Sequence, residues 1–172
     1  MKNVLKDPTK FLPSSRSVAF KKKCWELVSG YPEWLYTAED TIFDLNLKKI
    51  GCNFVFAPKS VVYWKTRQDL KSALKQYHLY GKGDGEGRIK LKPYLLIYIR
   101  FFVGIILIIG SFNNPILFVV LLALIISYFI SMIHYNSIGI DKNIFFKIFM
   151  LFLIDSALII GYSQGLIKGN ER

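Results

Sequence analysis

Three long apolar runs crowd the second half of the chain, and they decide most of what it can fold into. They read YLLIYIRFFVGIILIIGSF (94–112), PILFVVLLALIISYFISMI (115–133) and IFFKIFMLFLIDSALIIGYS (144–163). Crossing a bilayer takes roughly 20 predominantly apolar residues, and each run has that length. Covering all three inside a water-soluble fold would need far more chain than 172 residues. Arg100 interrupts the first run, and Lys147 and Asp155 fall in the third. Charge is costly in hydrocarbon, so Arg100 and Asp155 are expected to face other helices or the interface. For Asp155 a structural helix–helix contact is the expected role.

Ahead of these runs the chain changes character. Residues 1–93 carry 18 Lys+Arg and 9 Asp+Glu, net +9, whereas residues 94–172 carry 5 and 3, net +2. Two regions follow, a basic water-compatible one (1–93) and a membrane one (94–172). The start, MKNVLKDPTKFLPSS, lacks the apolar core of a signal peptide, so the first run is expected to insert as an internal segment. Arg88, Lys90 and Lys92 precede it, and the SFNNP link that follows it is uncharged. Positive charge stays on the cytosolic side, which puts the basic region and HYNSIGIDKN inside and the tail with Lys168 and Arg172 outside. Were 94–112 to lie in the interface instead, with Arg100 snorkelling, the later topology would reverse. The expectation is a multi-pass protein of the cell membrane, with the bilayer as partner and no nucleic acid.

Only two cysteines and two histidines occur, Cys24, Cys52, His78 and His134, without metal-ligand spacing, so no metal site is expected from them. Both cysteines read as small buried residues, and a disulfide is disfavoured in a reducing cytosol.

Within the basic region, SVAF (17–20) reads as a short strand and KKKCWELVSG as a short helix ending at Gly30, with Trp25, Leu27 and Val28 inward. YPEWLYTA reads as a loop rich in aromatics. A second helix starts at Thr37 as N-cap, with Asp40 three residues on, repeats Phe43, Leu47 and Ile50 on one face, and closes at Gly51. CNFVFAPKSVVYWK holds two strand-like runs, 53–57 and 60–64, broken at Pro58. QDLKSALKQYHLY (68–80) is amphipathic, with Leu70, Ala73, Leu74 and Tyr77 on one face and Lys71 and Lys75 off it. Its basic side suits an anionic lipid surface. GKGDGEG reads as a flexible turn, since it lacks the Gly-Lys-Ser/Thr ending of a phosphate-binding loop.

In this basic setting Glu39 and Asp40 stand out, adjacent carboxylates at a helix start. The first turn of a helix favours negative charge and offers unpaired N–H groups, so local physics reads them as a cap. The same place fixes an ionised carboxylate at the rim of a domain, which is what a general base for a hydroxyl requires.

The ordered set GYPEWLYTAED, DLNLKKIG and FVFAP, continued by QYHLYGKGDG and by IDSALIIGYSQGLIKG near the end, resembles the C-terminal part of a membrane-anchored family 2 glycosyltransferase. That resemblance implies an α/β fold, the C-terminal part of a GT-A-like domain (1–93, acceptor side) followed by transmembrane helices. It implies inverting transfer from a nucleotide sugar to a glycan or lipid-linked acceptor. Asp40 would be the general base, Glu39 would position acceptor or base, and Trp34 and Tyr36 would stack on the acceptor. The Q-x-x-R-W motif of processive relatives falls on Gln76 to Tyr80. Gln76 fits and Leu79 and Tyr80 depart, so help to the leaving diphosphate would fall to Gln76, His78 or Lys82. The family's divalent metal, Mg or Mn, would be held by a D-x-D-like site ahead of these residues. The matching run opens with SSRSVAF at Ser14, so only 13 residues precede it, and no D-x-D occurs; a donor-binding subunit or a missing N-terminal half is therefore expected as partner. The alternative is a non-catalytic membrane protein whose basic domain binds anionic lipid or a partner subunit.

Overall fold

The computed structural model describes residues 12–136, apart from positions 58, 64 and 66, and residues 144–170. A 3-10 turn (Ser15–Ser17) leads into α1 (Lys22–Leu27), α2 (Glu39–Lys49), α3 (Leu70–Glu86), α4 (Leu91–Ser111), α5 (Pro115–Asn136) and α6 (Ile144–Asn170). Among the described residues there is no strand, so the fold is all-α and the expected α/β class is corrected. Residues 18–20, 53–57 and 60–63 run without helical structure, but no second backbone lies beside them in a ladder. A strand exists only with such a neighbour, about 4.8 Å away. Trp64, the last residue of the expected third strand, lies outside the described residues, as do the 137–143 link and Arg172.

α2 ends as its sequence dictates. Gly51 takes φ 83°, its N–H donates to the Lys48 carbonyl, and the Cys52 N–H reaches back to that of Leu47. This is the Schellman closure that glycine permits. Its start differs from expectation. Thr37 does not cap; Ala38 holds the cap position in the left-handed region, and the Thr37 hydroxyl donates to the Leu79 carbonyl on α3 at 2.6 Å. Phe43 and Leu47 are buried with Leu35, and Phe43 stacks on Tyr31 (4.4 Å) and packs against Phe20 (5.0 Å). α1 contributes less than its pattern suggests, since Trp25 and Leu27 are exposed. Cys24 and Cys52 are half-buried rather than buried, and their sulfurs meet at 3.6 Å.

α3 is capped by Asp69, whose carboxylate accepts from the Ser72 N–H at 2.8 Å and hydroxyl at 2.6 Å. It then runs straight through GKGDGE, which is helix and not a turn. Glycine is a poor helix former, and packing overrides that preference here. The glycines form two stripes. Gly81 and Gly85 meet the backbone of α6 at Leu158 and Tyr162, whereas Gly83 and Gly87 meet Thr37 and Ile42. α6 answers with Gly161 and Gly165, seated on the backbone of His78 and Lys82. This is the most extensive helix–helix contact of the fold.

Beyond it, Asp84 is buried and accepts from Lys90 Nζ (3.0 Å) and Tyr94 OH (2.8 Å), while Lys168 pairs with the buried Glu86 at 3.2 Å. α4 runs antiparallel to α6: Tyr94 stacks on Tyr162 (3.9 Å), Tyr98 OH donates to the Ile159 carbonyl (3.1 Å), and Arg100 pairs with Asp155 (2.8 Å). The Arg100 guanidinium also lies 4.4 Å from the ring centre of Tyr128 on α5. Both charges within the apolar runs thus face other helices, as their cost in hydrocarbon would require. α4 and α6 are long and apolar enough to cross a membrane, and their outer faces carry exposed Leu, Ile and Phe. The last turns of α6 lie against α3, so they share a side with the basic region; the tail was expected on the opposite side.

Candidate functional site

The first turn of α2 bears Glu39 and Asp40, both half-buried. Asp40 Oδ1 accepts from the Thr41 N–H at 2.7 Å and from its hydroxyl at 3.4 Å. Its other oxygen makes no hydrogen bond among the described residues, so one lone-pair face stays open to an incoming hydroxyl. Two contacts hold this turn in place, the Thr37 hydroxyl on the Leu79 carbonyl and the close approach of Thr37 to Gly83. Because α3 is in turn seated on α6, the carboxylates are fixed to the junction between the basic region and the apolar helices.

A small cavity of about 100 Å³ opens beside Thr37, lined by Tyr36, Leu79, Lys82, Gly83, Glu86 and Lys168. It brings together two residues that the sequence singled out for different roles, Tyr36 and Lys82. It adds Lys168, which lies 86 positions further along the chain. Gln76 and His78 do not reach it: Gln76 donates to Tyr80 OH one turn along α3, and the His78 carbonyl backs onto Gly161. Trp34 is exposed, and it does not line this cavity.

The residue that sequence reasoning undervalued is Asp44. It is 3 % exposed. Burial pushes its carboxyl up to about 7, Asp40 one turn earlier adds to the rise, and Lys48 opposes it. Burial, then Asp44, Asp40 and Glu39, also push the Tyr31 phenol up. Two carboxyls one helical turn apart on one face thus sit in different environments, and the Asp44 carboxyl is pushed up to about 7. The consequence for stability has a definite sign. Asp44 titrates at about 3.8 when unfolded and about 7 when folded. The folded chain binds the extra proton between those values, so stability falls as pH rises through them and the penalty is complete above about 7. Asp44→Asn is therefore expected to be more stable than the parent at pH 8, by about 1–3 kcal/mol, and equal to it near pH 4. Thermal melts of the detergent-solubilised chain across that range check this.

Among the described residues no three His, Cys, Asp or Glu side chains converge as metal ligands, so these residues do not fit the divalent ion that the resemblance implies. Comparison with protein-family models, with characterised proteins and with solved structures returns no match.

Proposed function

We propose that the chain is the acceptor-side, membrane-anchored portion of a sugar transferase, with Asp40 as general base. The reading rests on the sequence resemblance and on one observation: the first turn of α2 is clamped to α3, and through α3 to α6, at the foot of the apolar helices. A lipid-linked acceptor lying in the bilayer would present its headgroup at that level. Asp40 takes the proton from the acceptor hydroxyl as it attacks the anomeric carbon from the side opposite the leaving diphosphate, which inverts that carbon. Glu39 orients the acceptor. Tyr36 offers an apolar face for its sugar ring, and Lys82 and Lys168 supply positive charge for its phosphate. The basic region lies in the cytosol, at the plasma membrane. Donor and metal sites belong to a partner subunit or to a preceding segment.

The test has two arms. Purified alone, the chain is expected not to bind UDP- or GDP-sugars by titration calorimetry, and micromolar binding would place the donor site within it. Captured from its own membranes through a C-terminal epitope, the same polypeptide is expected to transfer sugar, and captured material that never does so overturns the transferase reading.

A second reading draws on the exposed Lys71 and Lys75 on α3. In it the basic region holds anionic lipid or a partner subunit, and the carboxylates are only a cap. Charge reversal at both lysines would then abolish the activity of the complex, while Asp40→Asn would not matter.

A further inference from the structure

A groove of about 870 Å³ in the basic region runs between residues 17–21 and 52–57, with Cys24 and Leu47 also in its lining. Each wall has an extended stretch, 18–20 on one side and 53–55 on the other, outside the helices. Val18 is extended at φ −129° and ψ 140°, and Lys21 at φ −72° and ψ 136°. Along the other wall exposure alternates strictly: Gly51, Asn53, Val55 and Ala57 are exposed, and Cys52, Phe54 and Phe56 are half-buried. That period of two belongs to a strand. Yet among the described residues no backbone hydrogen bond engages the N–H or carbonyl of Val18, Ala19, Phe20, Asn53, Phe54 or Val55. Val55 is 86 % exposed, and Val61 and Tyr63 nearby are 64 % and 96 % exposed. So a strand-like stretch of about 20 Å, with Val55 at its middle, stands over an apolar groove with its 53–55 backbone unbonded among the described residues.

The chemistry of the walls selects the occupant. A lipid tail or small apolar ligand would cover the side chains and leave the backbone groups unbonded, which is costly once they are dry. A helix spends its backbone bonds on itself. An extended backbone satisfies both, as in strand addition to a sheet edge. Charge narrows it further: Lys21 lines the groove and Lys22, Lys23 and Lys59 are exposed close by in sequence, with Glu26 already paired to Lys22 at 3.5 Å. We infer that this groove is a docking site for an extended segment of another polypeptide, alternately apolar and acidic, that pairs its backbone with residues 53–55. The inference does not depend on the transferase reading.

The two cysteines are the only ones in the chain, and both line the groove, so they report its occupancy. The purified full chain in detergent is incubated with a short peptide alternating valine and glutamate, and maleimide labelling of Cys24 and Cys52 is followed by mass. The peptide is expected to slow labelling of both thiols severalfold. The same peptide N-methylated at every residue, which cannot donate ladder bonds, and a valine–lysine version are expected to leave it unchanged. Equal protection by either control, or none by any peptide, overturns the proposal. Protection that appears without peptide as the chain is concentrated, with a dimer in sedimentation, also overturns it, in favour of a second copy.

Discussion

Asp40→Asn is expected to lower sugar transfer by about 10²–10⁴-fold, the usual range for removing a general base, with the membrane level of the protein unchanged. The two effects separate because the carboxylate does little for the fold. Among the described residues its bonds are to Thr41, and the side-chain carbonyl of Asn can accept both. What the variant loses structurally is a charge near a helix N-terminus, about 0.3–1 kcal/mol. The measurement is initial rate in captured native complex, alongside Glu39→Gln, for which a smaller loss is expected because it orients rather than accepts the proton. A rate untouched by Asp40→Asn would end the base assignment and leave the cap as the whole role of the residue.

Filling the helix seam is expected to be the most damaging change to the fold. A Cβ on Gly161 would overlap the carbonyl oxygen of His78, and one on Gly165 that of Lys82. In both cases the obstacle is backbone, which has no rotamer to yield. α3 and α6 would have to part, exposing Tyr162 and pulling Lys168 from the buried Glu86. Each Gly→Leu change is expected to cost at least the roughly 1–3 kcal/mol of an overpacked core, and the double variant to lose the contact altogether. Gly104→Leu on α4 is the control, since a Cβ there meets nothing within 4 Å and the substitution improves helix propensity. Thermal melts and limited proteolysis between α3 and α4 compare the three; equal stability of the Gly161 and Gly104 variants would show that the seam is not tight.

Much of the local structure was legible. Gly51 announced the end of α2, and Phe43 and Leu47 its buried face. Tertiary demands hid the rest. Thr37 has the side chain of a cap, but its hydroxyl is taken by a carbonyl 42 positions away. GKGDGEG looked like a turn because glycine disfavours isolated helices; only the facing glycines of α6 give it a reason to be helical. The runs 17–20 and 53–57 have the composition of strands, and composition carries no information on whether a neighbour is present. At the site, Glu39 and Asp40 were readable as a first-turn pair. Asp44 was not, because the helical period brings Phe43 and Leu47 inward without fixing how far burial extends to the residue between them. Lys168 reaches the site only through the docking of α6.

That docking also closes a loop in the chain. Lys168 touches Glu86, so the chain that leaves the end of α3 comes back to it 82 positions later, and α4 and α6, both long and apolar enough to cross a membrane, belong to that one excursion.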